Sequence, residues 1–216
     1  MSRRAAVRVE ELVNVATHGL GLVVSVAALP FLVLLAARNG DAGTIAGVTI
    51  FGIALVGAYG TSTMYHSCAH GPRRDLWRRM DQAAVYVLIA GTYTPFTLGV
   101  LRGPLGWTVF AVVWTAALTG AGLKVLRRTN APRLETAAYL CLGWLVVLLA
   151  EPLLQRIGWA GVAWLVAGGV AYTVGVAFLV SQSRIRWGHC AWHLFVLGGS
   201  TCHAIAILNY ALVTQS

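Results

Sequence analysis

Charged residues are scarce in this chain, and acidic ones most of all. Of 216 residues 11% are charged, and only 7 are aspartate or glutamate. Hydrophobic residues make up 58% of the chain, and the mean hydropathy is +0.73. This balance excludes an ordinary soluble domain and predicts an integral membrane protein of the all-α class.

Cysteine is also sparse, and its spacing carries no metal or redox motif. Cys68, Cys141, Cys190 and Cys202 contain no CxxC pair, and two of them lie inside apolar runs. A disulfide framework is therefore not expected. Long polar linkers and internal repeats are absent as well, so we expect one domain over residues 1–216, with a short cytoplasmic segment over residues 1–15.

Long apolar runs dominate what remains. Seven of them approach the roughly 20 residues needed to cross a hydrocarbon core. They cover residues 16–37, 43–64, 82–100, 105–123, 134–154, 159–180 and 191–212. The sequence therefore predicts a bundle of seven transmembrane helices with its two termini on opposite sides.

Basic residues orient this bundle, because loops rich in lysine and arginine stay on the cytoplasmic side. Thirteen of the 16 fall before span one or in alternate loops: Arg3, Arg4, Arg8, Arg73, Arg74, Arg78, Arg79, Lys124, Arg127, Arg128, Arg133, Arg184 and Arg186. The N-terminus is thus expected in the cytoplasm and the C-terminus outside. We attribute the net charge of +9 to these cytoplasmic loops and expect no nucleic-acid partner.

Histidines mark the inner ends of the predicted spans. His189 and His193 are four residues apart on span seven, so one helical face presents both rings. His66 ends span two and Asp81 begins span three on the same side. Three imidazoles in one membrane layer favour a metal site, although the pair on span seven alone fits a polar seam between helices equally well.

Three neutral imidazoles leave a fourth position open, as in catalytic zinc sites. Asp81 is a candidate base and proton shuttle, and Ser62, one turn before His66, is a candidate hydrogen-bond donor to the site. Two simpler interpretations stay open. Asp81 can pair with Arg78 or Arg79, and Ser62 can bond its own helix backbone.

Several segments resemble one family in order and spacing. They are Glu11–Gly19, Ser62–His66, Asp81 with Ala90–Pro95, and His189–His193. Together they resemble the bacterial hemolysin III proteins, within the progestin and adipoQ receptor superfamily that includes the adiponectin receptors. The resemblance implies a seven-helix fold with a Zn²⁺ ion near the inner leaflet. By this resemblance the zinc ligands of the family correspond to His66, His189 and His193. The aspartate near the zinc corresponds to Asp81, and the serine four residues before the first histidine corresponds to Ser62.

The superfamily is also similar to alkaline ceramidases, which implies hydrolysis of a lipid amide or ester at the inner (plasma) membrane. On this hypothesis the partners are membrane lipids and a lipid substrate. Two alternatives remain open: a non-enzymatic protein that zinc staples together for membrane homeostasis or sensing, and a hemolysin-type cytolytic protein.

Other polar residues near these motifs have weaker interpretations. His70 is expected in a solvated loop, and His203 lies too far along span seven to share an ion with His189. Glu11, Asn14 and His18 are expected to brace the inner helix ends through hydrogen bonds.

Overall fold

The computed structural model describes residues 3–126 and 131–212, and within them the regular structure is entirely helical. Its α-helices are α1 (Arg3–Asn39), α2 (Ala42–Ser67), α3 (Pro72–Thr94), α4 (Gly103–Val125), α5 (Pro132–Trp144), α6 (Ala150–Ser181) and α7 (Gly188–Ala206). Two π-helical segments, Pro95–Leu101 and Ile207–Ala211, follow α3 and α7, and a 3-10 segment, Leu145–Leu149, joins α5 to α6. The predicted all-α class is confirmed. Arg127 and Arg128 lie outside the described residues.

Six helical stretches of the described chain are long and apolar enough to cross a membrane. The fifth and sixth predicted spans fall within one of them, Pro132–Ser181, which has 50 residues. A straight helix of that length would measure about 75 Å, against a hydrocarbon core of about 30 Å. The stretch is not straight, because Gly158 has φ +65° and ψ 177°, outside the helical region. The count of seven crossings stays a prediction.

Contacts along this stretch show where its parts lie. Glu135 near its start bonds Lys124 at the end of α4, and Gln182 just after it bonds His189 at the start of α7. Arg156, near the middle, donates instead to the carbonyl of Val100, at the other end of the bundle. Both ends of the stretch therefore lie at the end of the bundle that carries the histidines.

Local signals explain where the helices start. Proline occupies the first turn of α3, α4 and α5, where its fixed φ suits the helix and its missing N–H costs nothing. Asp41 caps α2 by accepting the backbone N–H of Thr44 at 2.9 Å, a bond that lowers the pKa of this carboxyl. α3 begins ten residues before the predicted span, because its polar first turns extend beyond the apolar run.

The core lies between α2, α3 and the segments that follow α3 and α7. Its most buried large side chains include Phe51, Leu153, Ile207 and Leu212. By contrast, α1 leaves Leu20, Val23, Phe31 and Leu34 largely exposed, as expected for side chains that face lipid. The fold thus buries α2 and α3 centrally and places much of α1 at the periphery.

Glycines allow α2 to approach the backbone of the π-helical segment. A Cβ added at Gly47 would lie 2.7 Å from Pro95 Cα and 3.1 Å from the Thr94 carbonyl oxygen. Both neighbours are backbone atoms, which cannot rotate away. Close packing through small residues is how membrane helices gain contact without a hydrophobic driving force.

We expect Gly47→Ala to destabilise the protein by about 1–3 kcal/mol, the usual cost of forcing a methyl group into a packed core. Thermal unfolding in detergent, followed by size-exclusion chromatography, measures this. Gly57→Ala on the same helix is the matched control, since nothing lies within 4 Å of its added Cβ. Equal melting temperatures for the two variants would contradict the tight contact.

Candidate metal centre

Four helix ends meet at one end of the bundle and bring the predicted site residues together. The first turns of α7 supply His189 and His193, and the last turn of α2 supplies His66. Asp81 lies in the first half of α3, and α1 passes beside the histidines, where Glu11 lies 2.6 Å from His66 and Thr17 lies 3.2 Å from His193. The predicted convergence of three histidines from distant segments is confirmed.

The three imidazoles form a compact group. One ring nitrogen from each of His66, His189 and His193 lies within 4.8 Å of the others, and the two Nε2 atoms of His66 and His189 are 3.1 Å apart. His193 is 1% exposed and His66 6%, whereas His189 is half-buried. Within the described residues the group contains only these three side chains, so Asp81 lies outside it.

Glu11 fixes the orientation of the His66 ring. Its Oε2 lies 2.6 Å from His66 Nδ1, and its Oε1 accepts a hydrogen bond from Arg74. An ion-paired carboxylate can only accept hydrogen bonds, so Nδ1 of His66 must carry the proton. The Nε2 atom of His66 is then left with a free lone pair.

The other two histidines are held in the same way. Nδ1 of His189 lies 2.8 Å from Gln182 Oε1, an acceptor. Nδ1 of His193 lies 3.2 Å from Thr17 Oγ1, whose own hydrogen is directed to the carbonyls of Val13 and Asn14. Both Nδ1 atoms therefore donate, and both Nε2 atoms keep a free lone pair.

This donor set fits a metal ion. Two lone pairs 3.1 Å apart on His66 and His189 repel each other unless a cation lies between them. A tetrahedral ion bound at about 2.0–2.1 Å needs nitrogens roughly 3.4 Å apart, close to this spacing. Acceptors that hold the far side of each ligand ring are also typical of metal histidines.

Ser62 links the histidine group to Asp81. The Ser62 hydroxyl lies 2.7 Å from His18 Nδ1 and also bonds the Asp81 side chain. The His18 ring stacks on His193 with centroids 3.5 Å apart and an interplanar angle of 7°. Ser62 therefore bonds side chains of neighbouring helices. The ion pair weighed for Asp81 is not among the described contacts, where Arg78 pairs with Asp75.

The hydrogen bonds from Glu11 to His66 and from His18 to Ser62 match the bracing predicted for these two residues, whereas the buried side-chain oxygen of Asn14, the third residue of that prediction, has no hydrogen-bond partner among the described residues. Sequence reasoning did not connect either residue with a particular histidine of the group, and it did not identify Thr17 or Gln182. Thr17 lies within the run from Glu11 to His18 on α1, so helical spacing gave a signal for it. Gln182 gave none, because it lies in the connection before α7.

A cavity of about 1250 Å³ opens at this site and extends into the bundle. His66, Asp81 and His189 line it, together with apolar side chains such as Leu88, Leu165 and Val196. Arginines stand among its lining residues: Arg78, Arg133, Arg184 and Arg186. The cavity can thus take an amphiphilic molecule with its polar end beside the histidines.

The remaining polar residues agree with their expected places. His70 is exposed, and His203 is buried away from the histidine group, with Nε2 3.2 Å from the Leu165 carbonyl oxygen. All four cysteines are free.

These features define a multi-pass membrane protein with a candidate metal centre at one end of its bundle. Comparison with known proteins places it in a family. The family described as haemolysin-III related matches residues 7–204, and the chain belongs to it. No solved structure matches the chain.

Curated relatives agree with this membership. The chain is 38% identical to "Hemolysin-3" of Bacillus cereus over 216 residues, which cover all of this chain and 98% of that protein. It is 41% identical to "Hemolysin-3 homolog" of Bacillus subtilis (strain 168), over 94% of this chain and 95% of the relative. It is 28% identical to human "Monocyte to macrophage differentiation factor", over 74% of this chain and 68% of the relative.

Glu11 offers a direct test of the metal centre. We expect Glu11→Gln to weaken metal binding by about 10- to 100-fold, because a neutral amide holds the Nδ1–H of His66 less strongly than a carboxylate does and no longer pairs with Arg74. Competition with a fluorescent zinc chelator measures the affinity. Glu10→Gln is the matched control, since no described contact joins its carboxylate to a histidine; equal affinities for the two variants would refute the role of Glu11.

Proposed function

We propose that this protein is a zinc-dependent membrane hydrolase that cleaves an amide or ester bond of a lipid. One observation carries the proposal: ring nitrogens of three histidines lie within 4.8 Å of one another, and two of these histidines, His66 and His189, line a large, mostly apolar cavity. Three histidines also accept copper, nickel or iron, so the donor set alone does not select zinc. The choice of zinc rests on the resemblance of the chain to the progestin and adipoQ receptor superfamily.

The proposed chemistry divides among a few residues. Zinc, when bound to three histidines, acts as a Lewis acid that polarises a carbonyl and lowers the pKa of water. Asp81 accepts a proton at its carboxylate and later returns one to the leaving group. Ser62 has a single hydroxyl hydrogen, so it either holds Asp81 in place by a hydrogen bond or turns to stabilise negative charge on the substrate oxygen.

His18 and Glu11 position this machinery. The His18 ring packs flat on His193 and bonds Ser62. It therefore fixes the position of the metal ligand His193 relative to Ser62 and to Asp81, which Ser62 bonds. Glu11 keeps the Nδ1 proton of His66 in place.

We further propose that the chain crosses the membrane seven times as one domain, with its N-terminus in the cytoplasm and the site near the inner leaflet of the plasma membrane. The break at Gly158 and the contacts of Glu135, Arg156 and Gln182 support a reversal within the long helical stretch. The arginines around the cavity mouth support a cytoplasmic location for the site.

Lipid turnover tests the proposal. Detergent-purified, zinc-loaded protein is incubated with ceramide-like and glycerolipid substrates, and released fatty acid is measured by mass spectrometry. We expect release from at least one substrate class, and its loss after chelation. No release from any substrate by protein that holds zinc would refute the hydrolase.

A non-enzymatic role is the second candidate. Glu11 and Thr17 of α1 contact histidines of α2 and α7, so a bound metal would tie three helices together. A protein stapled in this way would lose stability without metal and would turn over no lipid. The bacterial relatives are named hemolysins, which prompts a leakage assay on dye-loaded liposomes, in which a cytolytic protein would release the dye.

A further inference from the structure

His203 marks a second polar position deep in the cavity. It follows His193 by ten residues on α7, which is about 15 Å along the helix axis. His203 lines the same cavity as His66 and His189, two of the three members of the histidine group. Apolar side chains such as Phe96, Leu153, Leu165 and Val196 also line this cavity.

One nitrogen of His203 lacks a partner. Nε2 lies 3.2 Å from the Leu165 carbonyl oxygen, which can only accept, so Nε2 carries the proton. Nδ1 is then an acceptor, and this buried atom has no hydrogen-bond partner. Because the residue is only 8% exposed, the acceptor is unfavourable unless another molecule supplies a donor.

The surroundings hold the ring in this position. A Cβ added at Gly168 would lie 2.4 Å from His203 Nε2, so α6 approaches the ring only through glycine. The Tyr172 ring packs beside His203, and the Tyr172 hydroxyl lies 2.8 Å from Ser200 Oγ. A ligand that reaches His203 therefore meets a further hydroxyl group.

We propose that His203 forms a subsite for a hydroxyl group on the acyl chain of the lipid, about 15 Å from the bond held at the histidine group. The inference rests on the proposed function, since it places the acyl chain in the cavity with its polar end at the metal centre. It adds a substrate class: lipids with a hydroxylated acyl chain.

Ricinoleic acid and oleic acid test this subsite, because they differ by a single hydroxyl at the twelfth carbon. Affinities are measured on detergent-purified protein by competition against radiolabelled oleic acid. We expect about five- to tenfold tighter binding of ricinoleic acid, the gain from one buried hydrogen bond. Equal affinities, as when water alone serves Nδ1, would overturn the proposal.

Variants and a positional control sharpen the result. His203→Phe should remove the preference for ricinoleic acid and leave the affinity for oleic acid unchanged. His203→Gln should keep part of the preference for ricinoleic acid. Thr201→Val, on the exposed face of the same helix, should change neither affinity. In wild-type protein, 6-hydroxystearic acid carries its hydroxyl away from both the metal centre and His203, so it should bind no more tightly than stearic acid. A preference retained in His203→Phe, or an equal gain from the hydroxyl at the sixth carbon, would overturn the assignment.

These measurements do not depend on turnover. A protein that prefers ricinoleic acid but releases no fatty acid would refute the hydrolase and keep the subsite. A protein that hydrolyses lipid without this preference would refute the subsite alone.

Discussion

Replacing His193 with alanine is expected to abolish metal binding. Its ring is the most buried of the three ligands at 1% exposure, and Thr17 holds its Nδ1 so that Nε2 meets the other two. Without it only two imidazoles remain, which is fewer protein ligands than catalytic zinc sites use. Elemental mass spectrometry on protein purified without chelators should show near-stoichiometric zinc in the wild type and almost none in His193→Ala.

His70→Ala is the matched control for this experiment. His70 is exposed and lies beyond the end of α2, so its loss should leave the zinc content unchanged. Size-exclusion profiles of each variant separate loss of metal from loss of fold. Full zinc occupancy in a folded His193→Ala protein would refute the assignment of this metal centre. A wild-type protein that holds no metal would refute it as well, and the histidines would then be a polar seam between helices.

The positions of these histidines were predictable because helical spacing and the length of the apolar runs determine them. The spacing of His189 and His193 puts both on one face of α7, and the apolar runs fix the depth of His66 and Asp81. Those arguments need only helix geometry and the thickness of a membrane. They succeed because a helix in lipid must bond its own backbone.

The contacts that orient the rings depend on packing, which periodicity does not encode. His18 stacks on His193 only because of the way α1 crosses α7, and Gln182 reaches His189 through the turn at Trp187, which has φ +65°. Hydropathy locates the ends of the spans but does not show which side chains meet there, so the hydrogen bonds expected of Glu11 and His18 had no assigned partners. The partners of Glu11 therefore came only with the structure.

Irregular segments were missed for a related reason. The π-helical segment Pro95–Leu101 and the 3-10 segment Leu145–Leu149 are as apolar as regular spans, so no change in composition marks them. Only Pro95 gave a local signal, since proline disrupts the hydrogen bonding of a regular helix. The break at Gly158 falls at the junction between the predicted fifth span, which ends at residue 154, and the sixth, which begins at residue 159.

Asp81→Asn is expected to separate catalysis from metal binding. Asp81 lines the cavity beside the histidines and bonds Ser62, but it lies outside the three-histidine group. An amide cannot take up a proton as a carboxylate does, so the variant should keep its zinc and lose about 10²- to 10⁴-fold in turnover, the usual contribution of a general base. A structural staple would show no such effect, because it needs only the histidines.

Asp75→Asn is the control for this variant on the same helix. Asp75 is exposed and pairs with Arg78 at 3.9 Å, so its loss removes one negative charge without touching the site. Fatty-acid release and zinc content are measured on both variants beside the wild type. Undiminished fatty-acid release by Asp81→Asn would show that Asp81 is not the base. If the Asp81→Asn protein loses its zinc, Asp81 is part of the metal centre, and any fall in turnover follows from the missing ion.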